Sequence, residues 1–487
     1  MSPFNSLIAL SLLFMLANGR EIEHDNSPLI EPVYKLISKL YPKLQDDGAP
    51  QGNLLVSPIS IHQALSMVAL GAKENSETER QLLEVLDNSD WNSLNLEHRN
   101  IAQTFVGKIS KSALAARSTE KIDESVVGVR KFFTPLYVPQ FEDKFEENLL
   151  FSYGKKIFQP YAEGRHSINQ KMRDWTRDAG FSEEFLDDEP TTHIVELLLT
   201  SSGSLEAKRG DRRLYLNETE NIFMNLGRSN QLVQHGKIAT AASVPGRSVV
   251  HIATNNSSNQ GNYSAYNQRH LSNNEFGNIS FHAVEVDLRN DLTLAIIEPL
   301  AKGAGTELKE LTENLLTINS TDGKSNLFKL FQHLDKSDVY FEELTFPAFT
   351  IDKEISLVRA LKSIGLTRIF DPNEAELSEM NRRHNCSVNQ IIQKPSITLG
   401  ASRIIDEVGV YSEEYEFPGQ KVVERCNKER GITVRVDSPF LFVIRFHKIP
   451  LFFGQLVDIV QKTQKNEDRK LRLKPPTRVR WYEYYKE

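Results

Sequence analysis

Two stretches of the chain repeat apolar residues at helical spacing. In SPISIHQALSMVALGAK, Ile61 and Leu65 begin one apolar face, Ser57 stands at the capping position and Pro58 fits the first turn. In KEISLVRALKSIG, the apolar residues again share one face, and Gly365 follows as a stop signal. Both segments predict helices.

Other stretches are short apolar runs rich in β-branched and aromatic residues. These are LTLAIIEPL, VYFEELTFPAF and the pair PFLFVIRF and LFFGQLVDIV, which are joined through His447 to Pro450. Such runs predict strands, and the last pair predicts a hairpin. Helix patterns cluster early in the chain and strand patterns cluster late. This order predicts an α+β fold rather than alternating parallel units.

Composition is that of a globular protein. The 487 residues are 25% charged and 39% hydrophobic, and the net charge is -7. By length alone such a chain forms one to three domains. Because no overall excess of basic charge is present, the composition argues against a nucleic-acid partner.

The first residues, MSPFNSLIALSLLFMLANG, have the pattern of a secretory signal. An apolar run from Leu7 to Leu16 precedes Ala17 and Gly19 in a small-x-small cleavage pattern. The run is short for a membrane span, and charged residues interrupt the most apolar later segment. We therefore expect a signal peptide at residues 1–19 and a secreted, extracellular protein without a membrane span.

Sequons and cysteines agree with that compartment. The N-x-S/T pattern occurs at Asn217, Asn255, Asn256, Asn262, Asn278, Asn319 and Asn385, which are candidate glycosylation sites. The two cysteines, Cys386 and Cys426, could form one disulfide or remain two thiols. Cys386 lies inside the Asn385 sequon, so a glycan there could compete with pairing.

The chain changes character at its end. Residues 463–487 are rich in Lys and Arg, with two prolines in the middle and aromatic residues last. One interpretation is a solvated tail. The other is a contact with a sulfated polysaccharide or another acidic surface.

We find no sequence motif for catalysis. H-E-x-x-H, C-x-x-C, P-loop and G-x-S-x-G patterns are all missing from the sequence. A Ser/His/Asp constellation leaves no local signature, so sequence does not test it. We predict a protein that is not an enzyme and has neither a cofactor nor a metal site.

Several segments resemble the serpin family of serine protease inhibitors. VRVDSPFLFVI resembles the family signature through Pro439 and Phe440. NLLVSPISIHQALSMVALGAKENSET and LTFPAFTIDKEISLVRALKSIGLTRIFDPNEAELS match other family segments in order and spacing. The resemblance covers both ends and much of the second half, and it is weakest from about Val195 to Phe276.

The resemblance implies an α+β serpin fold with three β-sheets, about eight to nine helices and an exposed reactive-centre loop. It implies one serpin domain at residues 20–462, a monomer, and an extracellular serine protease as a candidate partner. In inhibitory members the protease is acylated on the loop, and the cleaved loop then inserts into the main sheet. Burial of inward side chains and new ladder hydrogen bonds drive that insertion.

Alignment on Glu407 and Gly409 places DEVGVYSEEYEF at the hinge of this loop. The inward positions are then Val410, Ser412, Glu414 and Glu416. Burial of unpaired carboxylates costs several kcal/mol, and Pro418 lacks a ladder donor. The hinge therefore predicts a loop that stays outside the sheet.

The resemblance also identifies a shutter, where polar side chains control sheet opening. The chain keeps Ser57 and Ser60 there but has Leu399 where the family's histidine aligns. Candidate reactive bonds follow Val423 when counted from the hinge and Lys428 when counted back from Pro439. Arg425 lies between them and suits a trypsin-like protease.

These observations favour a secreted, non-inhibitory serpin-fold protein. The first alternative is a functional serine-type endopeptidase inhibitor that traps a trypsin-like protease covalently. The second is glycosaminoglycan or surface binding through the basic tail.

Overall fold

A computed structural model gives the structure of the protein. It describes residues 27–46, 52–87, 129–133, 142–145, 147–148, 158–159, 195–206, 219–223, 231–252, 269–271, 276–287, 292–300, 306–347, 349–352, 355–380, 386–399 and 432–459. The described helices are α1 (Ile30–Asp46), α2 (Pro58–Ala69), α3 (Glu77–Leu86), α4 (Thr306–Leu316), α5 (Asn326–Leu334) and α6 (Val358–Ser363).

Sixteen strands lie within the same residues. They are β1 (Leu54–Val56), β2 (Val129–Phe133), β3 (Phe158–Gln159), β4 (Val195–Glu206), β5 (Thr219–Phe223), β6 (Gln231–His251), β7 (Arg269–His270), β8 (Phe281–Asp287), β9 (Leu292–Pro299), β10 (Val339–Pro347), β11 (Phe349–Asp352), β12 (Ile355–Ser356), β13 (Cys386–Leu399), β14 (Ile432–Arg435), β15 (Phe440–Phe446) and β16 (Ile449–Leu456).

Ten strands form one continuous sheet with the order β1-β16-β15-β9-β8-β6-β10-β14, and β5 and β7 also pair with β6. The long strand β6 belongs to two parts of this sheet, because its two ends pair with different strands. Residues 231–246 of β6 pair with β5 and β10, whereas residues 246–251 pair with β8. Two of the three expected sheets are therefore continuous through β6.

The second sheet has six strands and corresponds to the main sheet that the serpin resemblance implies. Its order is β11-β13-β4-β2-β3, with β12 also paired to β13. β13 is antiparallel to β11 but parallel to β4. The α+β fold predicted from sequence is confirmed.

Helix α2 confirms the first helix prediction and lies wholly in the core. All twelve of its residues are buried, which suits a segment with apolar residues on most of its faces. Ser57 stands at the N-cap with extended backbone, but its side chain makes no capping bond. Its hydroxyl instead pairs with that of Ser60 at 2.9 Å.

The second predicted helix is shorter than its sequence pattern. Ile355 and Ser356 pair with β13 as strand β12, and α6 begins only at Val358. The backbone N–H of Leu357 donates to Ile391 O at 2.9 Å, so pairing with β13 takes precedence over helix formation. The predicted stop is confirmed, because Gly365 has a φ of 100°.

The last two strands form the predicted hairpin. Phe446 pairs with Ile449, and His447 adopts a left-handed φ of 53° in the two-residue turn. Both strands are buried along their whole length. Asn53 ties β1 to the end of this hairpin, because its Oδ1 accepts from the backbone N–H groups of Val457 and Asp458.

Arg445, in the middle of this apolar hairpin, belongs to a buried ion-pair network. Its guanidinium donates to Glu285 at 2.8 and 2.6 Å and to Asp335 at 2.8 Å. It also lies 4.3 Å from the ring centroid of Phe331 on α5. The Glu285 carboxylate is fully buried and further accepts from the Thr293 hydroxyl at 2.6 Å. The network joins β15, β8 and β9 to helix α5.

Two fully buried imidazoles make stability sensitive to acid. Burial lowers the pKa of His62 from 6.5 to about 4 and that of His282 likewise to about 4. His62 Nε2 contacts Leu86 O at 3.2 Å, and His282 Nε2 contacts the Ser248 hydroxyl at 2.8 Å.

We expect the free energy of unfolding to fall as the pH drops from about 6.5 to about 4. Over that interval the unfolded chain binds protons that the folded chain does not, at about 3 kcal/mol per imidazole. Urea unfolding of the protein and of the His62→Gln variant at pH 7.5 and pH 4.5 would measure this. A variant with the same pH dependence as the parent chain would contradict the assignment to His62.

Candidate functional site

The main sheet is closed where its central strands meet. β4 and β13 pair directly in parallel from Cys386 opposite Val195 to Thr398 opposite Glu206. No third strand lies between them in the described part of the chain. A strand that inserted between β4 and β13 would first have to break the backbone hydrogen bonds that join them. Only then could it pair with either strand.

A polar clamp fastens β13 to the start of helix α2. The Gln393 carboxamide makes two hydrogen bonds to Ser57, because its Oε1 accepts from the backbone N–H at 3.0 Å and its Nε2 donates to the carbonyl at 2.8 Å. The Ser57 and Ser60 hydroxyls lie 2.9 Å apart. All three residues are buried, so the clamp satisfies polar groups that water does not reach.

The clamp brings together two residues predicted from sequence and one that sequence reasoning missed. Ser57 and Ser60 are the predicted pair, whereas the sequence alignment places Leu399 at the family's histidine. In the structure Leu399 pairs with Phe349 at the end of β13, and the clamp residue is Gln393, six positions earlier.

Strand alternation is the signal that could have identified Gln393. Ile391, Gln393, Pro395 and Ile397 are all buried, so the odd-numbered residues from Ile391 to Ile397 face the core. Gln393 is the amide within this otherwise apolar stretch, and an amide there needs a buried partner.

Removal of the clamp should weaken the closed sheet. We expect Gln393→Leu to lower the free energy of unfolding by about 1–3 kcal/mol, because the buried Ser57 N–H loses its acceptor. Ser60→Ala is the comparison, since it removes one hydroxyl contact and should cost about 1 kcal/mol or less. Urea unfolding measures both variants. If Gln393→Leu were no less stable than Ser60→Ala, the clamp would not fasten the strand.

The residues at the two ends of the candidate reactive-centre loop pair with one continuous stretch of chain, which contains β10 and β11. Leu399, the last residue of β13, pairs with Phe349 on β11, and Ile432, the first residue of β14, pairs with Phe341 on β10. β14 is parallel to β10, and Val436 N–H donates to Thr345 O at 2.8 Å just beyond it. The connection between them, residues 400–431, lies outside the described residues.

Most predicted loop and modification residues belong to that undescribed part. This applies to the whole predicted hinge, Glu407, Gly409, Val410, Ser412, Glu414 and Glu416, and to Val423, Arg425 and Lys428. Cys426, five of the sequons, residues 1–19 and residues 463–487 also lie outside it. The backbone of Cys386 begins β13, and the described sequon asparagines are Asn278 and Asn319.

No helix within the described residues combines the length and apolar character needed to cross a membrane. In the same part of the chain, no three His, Cys, Asp or Glu side chains cluster as they would to hold a metal ion.

Known proteins share this architecture. Native protease nexin-1, solved with heparin, superposes with a TM-score of 0.60 at 17% identity and covers 88% of this chain and 99% of its own. An alpha-1-antitrypsin-like protein of Tamias sibiricus is 23% identical over 464 residues, which is 92% of each chain. Serpin B10 of Mus musculus is 29% identical over 157 residues, 30% of this chain and 37% of its own length.

A family description matches the sequence itself. The family model named Serpin (serine protease inhibitor) matches residues 33–183 and 259–459. The unmatched stretch between them, residues 184–258, overlaps most of the region where the sequence resemblance is weakest. Since the matched residues make up well over half of the sequence, the chain belongs to the serpin family.

Proposed function

We propose that this chain is a secreted serpin-fold protein that does not inhibit proteases by loop insertion. The observation that carries the proposal is the position an inserted strand would occupy, beside β13 and above the buried Ser57 and Gln393. The neighbouring helix α2 is buried along its whole length. Inward side chains of an inserted loop would enter this dry interior.

Carboxylates are poorly suited to that interior. Glu414 and Glu416 lie two positions apart, so both would be on the face that turns inward. The clamp residues already use their polar groups in hydrogen bonds to one another. Burial of each carboxylate without a partner costs several kcal/mol, whether it stays ionised or takes up a proton. Slow insertion would let a protease hydrolyse the loop and leave.

The position of Gln393 gives a second way to locate the hinge in the sequence. If the hinge keeps its spacing from the clamp, Gln393 in place of Leu399 moves the hinge six residues towards the N-terminus. Six is an even number, so the same face of the strand still turns inward. That face would then carry Asp406 near its start and Glu414 further along. Both counts place carboxylates in the sheet.

Incubation with a trypsin-like protease tests the proposal directly. We expect cleavage after Arg425 or Lys428 and no complex that survives denaturing electrophoresis. The Arg425→Ala variant identifies the bond that is cut. A stable covalent complex would overturn the proposal and support the alternative, a functional serine-type endopeptidase inhibitor.

Secretion is part of the same proposal. We expect the secreted protein to begin after Gly19, as N-terminal sequencing would show. A retained N-terminal segment would contradict the assignment of residues 1–19. The pairing of Cys386 with Cys426 remains a proposal, which non-reducing peptide mapping tests.

The basic tail is the basis for the glycosaminoglycan alternative. The described lysines of helix α1 are engaged elsewhere, with Lys35 2.6 Å from Asp87 and Lys39 donating to Glu84 O at 2.9 Å. We assign the sulfated-polysaccharide binding of this alternative to residues 463–487, where Lys and Arg are concentrated. Salt-sensitive retention on heparin should be lost when the chain is truncated after Val460. Undiminished retention would exclude the tail as the binding site.

A further inference from the structure

The two sequon asparagines in the described part of the chain both lie near the end of helix α4. Asn278 follows Gly277 in the turn before β8, and a Cβ at Gly277 would stand 3.1 Å from the Asn314 side chain. Asn314 lies in the last turn of α4, and Asn319 follows five residues later. The turn of Asn278 therefore packs against α4, and the turn of Asn319 extends from its end.

The Asn319 turn is a tight hairpin between α4 and α5. Asn319 N–H donates to Lys324 O at 2.9 Å, and Gly323 N–H donates to Asn319 O at 2.9 Å. The hairpin is also held from outside, because Lys329 on α5 lies 2.9 Å from the Asp322 carboxylate. This turn keeps its shape without any contribution from the Asn319 amide nitrogen.

The two amide groups are free to carry a substituent. Asn319 Oδ1 accepts from Thr321 N–H at 2.9 Å, whereas its Nδ2 donates no hydrogen bond to a described residue. Ser320 and Thr321, which complete the sequon, are exposed. Asn278 is itself exposed beside Gly277, which has a φ of 74°, whereas Ser280, which completes its sequon, is buried. A group added at either Nδ2 would displace no described contact.

We propose that Asn278 and Asn319 both carry N-linked glycans and that these cover the surface around the end of α4. In the reaction, Nδ2 forms a bond to C1 of a lipid-pyrophosphate-linked oligosaccharide. The bond from C1 to the pyrophosphate breaks, and Nδ2 loses one proton. The proposal rests on secretion, since the transferase and its lipid donor belong to the secretory pathway.

The consequence is a face that is closed to protein partners. Glycans are bulky and solubilising, so two of them beside one helix end would prevent close packing there. Partners of this chain would then bind other surfaces.

Peptide mapping of the full chain secreted from eukaryotic cells tests the proposal. After treatment with a glycan-releasing amidase, Asn278 and Asn319 should each be converted to Asp, and untreated protein should lack the unmodified peptides. Thr321→Ala should abolish the change at Asn319, whereas Thr321→Ser should keep it. Asn314→Gln, beside both sites but outside any sequon, should alter neither.

Two outcomes separate this inference from secretion itself. A chain that is secreted with Asn278 and Asn319 unmodified would overturn the glycan-covered surface alone. A chain retained in the cytoplasm with every sequon unmodified would overturn secretion, and the inference with it. To test the covering, trypsin cleavage after Lys324 should be faster once the glycans have been removed. An equal rate before and after removal would contradict the covering.

Discussion

A cut within the candidate loop, between Val422 and Gly431, is expected to leave the thermal midpoint of the protein unchanged. Insertion would add a strand to the main sheet, but the carboxylates at Glu414 and Glu416 would enter the dry interior above Ser57. Thermal unfolding before and after limited cleavage measures the effect. A large rise in the wild-type chain would show that the loop enters despite its carboxylates.

The Glu414→Ala/Glu416→Ala variant should behave differently. If the cut loop then inserts, about eight new ladder bonds at ~1 kcal/mol each would raise the midpoint by about 8 °C. Glu413→Ala is the matched control, since an odd-numbered residue of the inserted strand would face outward. Addition of Asp406→Ala to this double variant tests the hinge position that follows from its spacing to Gln393. If none of these variants gains stability on cleavage, the carboxylates are not what keeps the loop out.

Loss of Arg445 should be the most damaging single change in the described core. Arg445→Met leaves the fully buried Glu285 carboxylate with only Arg247, 3.2 Å away at the edge of the network, as a cationic partner among the described residues. We expect a loss of about 3–5 kcal/mol, because removal of one member strands a buried charge.

An exposed arginine supplies the control for that change. Arg80 on α3 pairs with Glu77 and Glu84 but remains 60% exposed, so Arg80→Met should cost far less stability than Arg445→Met. Urea unfolding midpoints at neutral pH compare the two variants. Equal losses would mean that the Arg445 network contributes no more than a surface ion pair.

Local patterns predicted the elements that depend on local chemistry. Helix α2 and the hairpin of β15 and β16 could be predicted because their spacing and turn residues are continuous in sequence. α6 was overestimated since a strand contact decides where it begins. β6 escaped prediction because its partners are distributed over several other strands and its own sequence does not alternate regularly.

The site depends on contacts between distant parts of the chain. Gln393 forms the clamp by hydrogen bonding to Ser57, which is 336 residues away in the sequence. The segment QIIQKPSITL alone does not indicate that partner. Arg445 interrupts an apolar segment in the sequence, yet Glu285 and Asp335 make that position polar inside the fold. A buried polar residue can be interpreted only once its partner is known.

The positions of the two loop ends determine the distance that the connecting residues must span. Phe341 and Phe349, which pair with its two flanking residues, are eight positions apart, so the anchors lie within about 30 Å of one another along that run. The 32 residues 400–431 could span about 110 Å if fully extended. The two anchors are therefore separated by well under half of the distance that 32 residues can span, so their pairing does not require the connection to be extended.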